Sequence, residues 1–151
     1  MARHLPTEED ARACGRALAA EARPGAVIAL VGAMGAGKTH LTKGIAEGLG
    51  YAGEVTSPTF TLVHEYAAPA MRLPVFHFDF YRLESADEAL AFGLEEYLEA
   101  GGVCVVEWAD KFPALLPREA RWWQLRPSEK GGREIEEITG DVTESTPRAA
   151  P

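Results

Sequence analysis

The chain has 151 residues, of which 46% are hydrophobic and 25% charged, and its formal net charge at pH 7 is −8. This length and composition fit one globular domain and exclude both global disorder and two full catalytic domains. Non-specific nucleic-acid binding depends on cationic contacts to phosphates, so an acidic chain is a poor nucleic-acid binder on its own. We therefore expect any role in nucleic-acid metabolism to depend on a protein partner.

The first third of the chain predicts a helix, a strand, a glycine-rich loop and a second helix. Thr7 can cap the first helix, with Asp10 completing a capping box. The continuous apolar run at 26–31 is typical of a strand buried on both faces. The glycine-rich segment 32–37 follows, and the second helix carries an apolar stripe and ends at Gly50.

The rest of the chain predicts further strands, one interrupted helix and a terminal tail. In order, we expect a loop at 51–58, strands at 59–66 and 75–81, a helix capped by Ser85, a strand at 103–106 and a hairpin formed by 121–126 and 133–139. Residues 141–151 are rich in Thr, Ser, Pro and Ala, which predicts a disordered tail.

Cysteine usage and hydropathy indicate the setting of the protein. Cys14 and Cys104 lie far apart and outside any CxxC pattern, so we expect two small buried residues rather than a zinc site or a disulfide. No apolar stretch approaches the roughly 20 residues of a membrane helix, and the N-terminus lacks a secretory apolar segment. We expect a cytoplasmic protein.

The strongest motif is the segment Gly32-Ala33-Met34-Gly35-Ala36-Gly37-Lys38-Thr39. It matches the pattern G-x-x-x-x-G-K-[ST], and it stands between a predicted strand and a predicted helix, as a phosphate-binding loop (P-loop) requires. Glycines allow the loop to turn its N–H groups onto phosphate oxygens, and the helix N-terminus favours the same anion. Lys38 adds a charge for the outer phosphates, and the Thr39 hydroxyl can bind Mg²⁺.

A phosphate loop needs a second carboxylate for the metal, and two acids are candidates. Glu107 ends the apolar strand at 103–106, and Asp79 lies near the end of the strand at 75–81. If both strands flank the strand before the loop, the two carboxylates meet near the phosphates. The alternative for each is a solvated acid at a strand end, and that alternative is stronger for Asp79.

Three neighbouring positions carry weaker signals. Ser57-Pro58-Thr59 stands where nucleotide switches place a hydroxyl residue that senses the γ-phosphate, although a plain turn explains it equally well. His77 is expected to fill space beside Asp79. Trp108 is expected to anchor its loop as a half-buried aromatic residue.

The class of phosphate-loop protein can be narrowed. A guanine-specific GTPase would carry an Asn-Lys-x-Asp motif, and the chain contains no Asn. A small-molecule kinase needs an acceptor pocket and an arginine-rich lid, and the arginines here show no lid cluster. The kinase nevertheless stays open as an alternative, as does a non-catalytic adaptor that senses nucleotide.

Several segments together resemble the TsaE (YjeE) family, the P-loop ATPase of tRNA threonylcarbamoyladenosine biosynthesis. The resemblance covers residues 5–139 and is carried by Gly35–Thr39, Ser57–Val63, His77–Leu83 and Val106–Trp108. It implies an α/β fold with a single P-loop NTPase-like ATPase domain at 1–140. The central sheet would be mainly parallel and flanked by helices, with antiparallel strands at the C-terminal edge.

The resemblance also implies an activity and its partners. Family members hydrolyse ATP with Mg²⁺, slowly alone, and act on the transferase complex of TsaD and TsaB family proteins that modifies tRNA. Residues Met34, Gly35, Ala36, Gly37, Lys38 and Thr39 would contact ATP, and Thr39 with Glu107 would bind Mg²⁺. Asp79 would serve hydrolysis and Thr59 would act as a switch. Glu8 and Arg133 would approach the nucleotide.

Two departures from the family pattern concern the loop. Ala33 and Met34 replace a common Asp-Leu pair, but these positions contribute mainly backbone N–H groups, so ATP binding should survive. His40 replaces a small hydroxyl residue after Thr39 and leaves the metal ligand intact.

Overall fold

The computed structural model describes residues 2–32, 37–58 and 61–138, and the following concerns these residues. The strands are β1 (Arg3–Leu5), β2 (Val27–Val31), β3 (Val63–Tyr66), β4 (Val75–Asp79), β5 (Val103–Glu107), β6 (Arg121–Pro127) and β7 (Arg133–Ile138). The helices are α1 (Glu8–Glu21), α2 (Lys38–Gly48), α3 (Ala86–Ala91) and α4 (Leu94–Glu99). Two single-turn 3₁₀ helices, Ala109–Lys111 and Pro113–Leu115, follow β5.

The seven strands form one mixed sheet in the order β1-β7-β6-β2-β5-β4-β3. The four central strands, β6, β2, β5 and β4, pair in parallel. The β6–β7 hairpin and β1 add antiparallel pairs at one edge, and β3 adds an antiparallel pair at the other. The expected α/β fold with a parallel centre and antiparallel strands at the C-terminal edge is confirmed. Strand β3 adds one more antiparallel strand at the opposite edge.

Each face of the sheet carries its own apolar core. Side chains such as Ile28 and Val105 pack against α1 and α2 on one face. Residues such as Ala29 and Val106 pack against the α3–α4 region and the 3₁₀ turns on the other. Strands β2, β4 and β5 are buried along their whole length, because both faces are covered.

Helices α1 and α2 pack closely through glycines. A Cβ atom at Gly44 would lie 2.0 Å from the carbonyl oxygen of Arg12, and one at Gly15 would lie 2.2 Å from that of Leu41. Arg12 also binds Glu47 across the same contact, with Nη2 2.5 Å from Oε2 and Nε 3.2 Å from Oε1. This contact fixes the helix that begins at Lys38 against the N-terminal helix.

Local signals placed most elements correctly. The Thr7–Asp10 capping box is present, with both reciprocal hydrogen bonds, and Gly50 follows α2 with a φ of +104°. Ser85 caps α3 by accepting from the N–H of Glu88, and Gly93 separates α3 from α4. The terminal hairpin forms at its predicted position.

Two predicted strand boundaries are wrong, and a third strand was not predicted. Strand β3 begins only at Val63, because Leu62 has a φ of +69° and its N–H donates to Pro58, forming a turn. Strand β4 ends at Asp79, whose side chain accepts from the N–H of Tyr81. Strand β1 was not predicted at all, since its three residues carry no local pattern.

Other expectations concern residues and segments away from the site. Both cysteines are buried and free, and burial raises the pKa of Cys104 to about 12. Among the described residues, no helix has the length and apolarity needed to cross a bilayer. The predicted tail at 141–151 lies outside the described residues.

Candidate functional site

A cavity of about 590 Å³ opens at the carboxyl ends of β2, β4 and β5. This edge is where open α/β sheets bind their ligands. The volume falls within the range of small-molecule sites, about 300–1,000 Å³. The cavity is lined by predicted site residues from distant parts of the chain: Glu8, Gly37, Lys38, Thr39, Ser57, Asp79, Glu107 and Arg133.

Lys38 stands at the start of α2 and is only 5% exposed. Its Nζ donates to the carbonyl oxygen of Gly32 at 2.6 Å and lies 4.3 Å from the centre of the Trp108 ring. Burial lowers the pKa of Lys38 from its usual value, while the carboxylates of Glu107 and Asp79 act in the opposite direction. A polyphosphate entering the cavity would favour the charged lysine in the same way.

Glu107 and Asp79 end neighbouring parallel strands and are direct partners in the register. Both are nearly fully buried, at 4% and 3% exposure. The two acids meet, although the condition stated for their meeting, that both strands flank β2, does not hold. Strand β2 lies between β6 and β5, and β4 joins the sheet through β5.

The residue after Glu107 adopts an unusual backbone. Trp108 has a φ of +55°, in the left-handed region that side chains seldom occupy. This bend directs the chain into the first 3₁₀ turn and places the indole beneath Lys38 and 4.9 Å from the ring of Tyr81. Trp108 therefore forms part of the wall that holds the lysine, and it is more buried than the sequence predicts.

Arg133 stands at the start of β7 and lines the cavity on the side of β2 opposite to β5 and β4. Its side chain packs over Gly37, where a Cβ would lie 3.4 Å from the arginine Cγ and where φ is +92°. Its Nη1 donates to the carbonyl of Gly132, but its buried Nε has no hydrogen-bond partner among the described residues. A guanidinium N–H at the wall of a cavity can donate to an anionic or polar group that enters it.

Glu8 reaches the cavity mouth from the first turn of α1. Its carboxylate lies 3.4 Å from Nε2 of His40 on α2. Glu8 is largely exposed, so its ion pair with His40 is weak and both side chains can change conformation. Glu8 of α1 and His40 of α2 are therefore in contact at the mouth of the cavity.

The donor set suits a small hard cation such as Mg²⁺. The Thr39 hydroxyl and the Glu107 and Asp79 carboxylates are oxygen donors, and Mg²⁺ is usually held by one or two carboxylates together with substrate phosphates. In the described part of the chain, no group of three or more His, Cys, Asp and Glu side chains forms a metal cluster.

Comparison with known proteins identifies the family. The family model described as threonylcarbamoyl adenosine biosynthesis protein TsaE matches residues 5–135. The chain belongs to the TsaE family. It is similar to the TsaE protein of Bacillus subtilis strain 168, at 45% identity over 84% of this chain and 78% of the relative. It is also similar to that of Treponema pallidum, at 43% identity over 74% and 80%.

A solved TsaE-type structure shares the fold. The crystal structure of Bacillus subtilis YdiB matches with a TM-score of 0.73 and 38% identity, covering 89% of this chain and 82% of that chain. The resemblance of the sequence segments to the TsaE family is thereby confirmed.

Several predicted TsaE site residues fall outside the described residues, and others were not predicted. Met34, Gly35, Ala36 and Thr59 lie in the segments that the structure does not describe. Sequence reasoning missed the cavity wall at Leu5–Thr7, which depends on the pairing of β1 with β7. It also missed the partner of His77, whose Nε2 contacts Glu107 rather than Asp79. No pattern within β4 reveals this contact, because it depends on the register between β4 and β5.

Proposed function

We propose that this chain binds and hydrolyses ATP with Mg²⁺ and acts as an accessory ATPase in threonylcarbamoyladenosine modification of tRNA. The observation that carries the proposal is the meeting of Lys38, Thr39, Asp79 and Glu107 in one cavity at the end of β2. The names of the family and of its members supply the pathway. We place the activity in the cytoplasm.

Each residue of the cavity has a role in this proposal. Lys38 exchanges the Gly32 carbonyl for the outer phosphates, and the N-terminus of α2 supports the same negative charge. Thr39 and Glu107 would hold Mg²⁺, which neutralises charge on the phosphates when it is bound. Without the cation, the buried carboxylates would repel a triphosphate, so we expect tight ATP binding to need Mg²⁺.

Asp79 is the residue assigned to hydrolysis. Its Oδ1 accepts from the N–H of Tyr81 at 2.9 Å, and its Oδ2 lies 3.5 Å from the Ser57 hydroxyl. These contacts fix a carboxylate next to the metal ligand and in reach of the cavity. It would orient the attacking water and accept its proton.

The partner complex is the proposed site of action. A net charge of −8 disfavours direct binding to tRNA, so we propose proteins of the TsaD and TsaB families as the partners. We propose that ATP hydrolysis is slow alone and is stimulated by these partners.

Single-turnover release of phosphate tests the proposal. We expect Asp79→Asn to bind Mg·ATP normally and to lower the hydrolysis rate about 100-fold. We expect Glu107→Ala to weaken the Mg²⁺-dependent part of binding. Asp87→Asn, at an acid on α3 outside the cavity lining, serves as the control. Phosphate release that is absent under every condition, with partners and tRNA present, would contradict the ATPase and support a nucleotide-sensing adaptor.

The same assay separates the ATPase from the small-molecule kinase. A kinase would transfer phosphate stoichiometrically to a metabolite and would not need partner proteins. Free phosphate that appears faster when the partner proteins are added supports the ATPase. A pull-down in ATP against ADP would then show which nucleotide state retains the partners.

A further inference from the structure

A chain of buried polar groups extends behind Glu107, away from the cavity. His77 on β4 has 0% exposure, and its Nε2 contacts Oε2 of Glu107. A carboxylate can only accept a hydrogen bond, so Nε2 carries the proton and donates it. His77 therefore binds one carboxylate oxygen of Glu107 on the side away from the cavity, and the orientation of this carboxylate depends on the contact.

Tyr66 continues the chain on the edge strand β3. Its hydroxyl lies 3.3 Å from Nδ1 of His77 and donates to the carbonyl oxygen of Thr56 at 2.9 Å. The N–H of Thr56 in turn points to the same hydroxyl at 3.3 Å. Burial raises the pKa of Tyr66 to about 12, so the phenol stays protonated and able to donate.

The strand register explains why these side chains meet. In the β3–β4 pair, Tyr66 is opposite Val75, so His77 is its diagonal neighbour. In the β4–β5 pair, His77 is opposite Val105, and Glu107 is the next residue on that face. Diagonal neighbours on one sheet face lie within reach of long and aromatic side chains.

The far end of this series of polar contacts is the loop predicted at 51–58, which leads into the candidate switch Ser57-Pro58-Thr59. Thr56 is exposed, yet both of its backbone groups are bound to buried Tyr66. The next residue, Ser57, contacts Asp79 with its hydroxyl at 3.5 Å. Two adjacent loop residues are thus connected to the two acids of the cavity.

We propose that His77 and Tyr66 are positioning residues that orient the Glu107 carboxylate and couple it to the loop at Thr56. This inference rests on the proposed function, in which Glu107 binds Mg²⁺. Partners behind a metal ligand commonly set its orientation, and their loss lowers metal affinity about 10–100-fold. Here the same contacts also reach a loop, so binding at Glu107 and the position of Thr56 depend on each other.

Two substitutions and one rescue variant distinguish coupling between Glu107 and the loop at Thr56 from simple packing of His77 and Tyr66. His77→Leu removes both ring nitrogens, and His77→Gln restores a donor that can reach Glu107 but not the contact with Tyr66. Tyr66→Phe removes one oxygen atom and leaves His77 in place, so it keeps the test decisive if His77→Leu does not fold. Tyr97→Phe is the matched control, because its hydroxyl donates to Glu65 on the other side of the sheet.

Two measurements are made on each variant. Calorimetric titration of ATP at stepped Mg²⁺ concentrations gives the Mg²⁺ concentration at half-maximal binding. Hydrogen exchange of the backbone amides at 52–57 is measured with ATP alone and with ATP plus Mg²⁺. Neither measurement depends on hydrolysis.

We expect His77→Leu to raise the half-maximal Mg²⁺ concentration about tenfold, and His77→Gln to recover most of this loss. Tyr66→Phe should raise the half-maximal Mg²⁺ concentration less than His77→Leu does, because His77 keeps its contact with Glu107, and the exchange of the loop amides should no longer respond to Mg²⁺. Tyr97→Phe should match wild type in both measurements.

The two failures are distinguishable. Wild-type protein whose ATP binding ignores Mg²⁺ would overturn the proposed function and this inference with it. Wild-type protein that needs Mg²⁺, together with His77→Leu and Tyr66→Phe variants that match it in both measurements, would overturn the coupling alone. If His77→Leu does not fold, a Tyr66→Phe loop that responds normally to Mg²⁺ is sufficient to overturn it.

Discussion

The Nζ atom of Lys38 donates to the carbonyl oxygen of Gly32 at 2.6 Å. The hydrogen bond joins the two ends of the glycine-rich segment, and the ammonium group has little contact with solvent. A buried cation is costly unless it is paired, and the Gly32 carbonyl and the indole of Trp108 provide partial compensation. Binding of an anion would therefore replace contacts that are already ordered.

We expect Lys38→Ala to lower ATP affinity about tenfold to 100-fold, since a charged hydrogen bond contributes about 1.5–3 kcal/mol. Equilibrium dialysis with ATP and Mg²⁺ measures the change. Lys111→Ala is the matched control, because Lys111 also donates to a backbone carbonyl, that of Tyr81, and does not line the cavity. Unchanged affinity in Lys38→Ala would contradict the assignment of the phosphate loop.

Arg133 gives a second binding prediction. Its buried Nε has no hydrogen-bond acceptor among the described residues. A nucleotide that supplies an acceptor for this Nε should therefore bind about tenfold more weakly to Arg133→Ala than to wild type. Arg133→Lys should not restore binding, because an ammonium group cannot reproduce the guanidinium fork. Arg126→Ala on the adjacent strand, where Arg126 pairs with Glu134 and Glu136, is the control. Equal losses in both alanine variants would refute a specific role.

The contact between α1 and α2 predicts a loss of stability for Gly44→Ala. Helix propensity alone would favour alanine by about 1 kcal/mol. The new Cβ would lie 2.0 Å from the carbonyl oxygen of Arg12, so the two backbones must separate, and we expect a net loss of about 2 kcal/mol or more. Urea unfolding measures it. Ala17→Gly, on the exposed side of α1, is the control and measures the effect of helix propensity alone. A Gly44→Ala variant that is more stable than wild type would show that the helices are not in close contact.

The Glu47 carboxylate predicts a pH dependence of stability. Hydrogen bonds from Arg12 lower the pKa of Glu47 below its usual value of 4.5. A lowered folded-state pKa contributes stability above about pH 4.5, and this contribution is lost as the pH falls through the lowered pKa. We expect the free energy of unfolding of wild type to exceed that of Glu47→Gln by about 1 kcal/mol at pH 7, and less at pH 3.

Urea unfolding of the two proteins between pH 3 and pH 7 checks this. Glu95→Gln, at an exposed position of α4, is the control and should show no such change in its difference from wild type. A difference between wild type and Glu47→Gln that grows on acidification would contradict the sign of the argument.

Local chemistry made much of this fold predictable. The capping box at Thr7, the apolar run before Gly32 and the acid that ends β5 each depend on neighbouring residues in the sequence, and the structure has all three. Long-range pairing was not predictable in the same way. Strand β1 exists because it pairs with β7, more than 120 residues later, and its own three residues show no strand pattern.

The site shows the same division. Lys38, Thr39 and Glu107 could be named from motifs, and all three line the cavity. The route by which Asp79 reaches Glu107 depends on strand order, which a single sequence does not determine. The contact between His77 and Glu107 depends on register as well as on order. The sequence indicated only that His77 fills space beside Asp79 on the same strand.

The pairing of β1 with β7 has a consequence for synthesis on the ribosome. Leu5 to Thr7 and Arg133 form one wall of the cavity, and they are among the first and last described residues to be translated. A nascent chain whose β7 is still inside the exit tunnel therefore lacks this wall, even when Lys38 and Glu107 have already emerged. A ligand can contact this wall together with Lys38 and Glu107 only after translation has passed the hairpin.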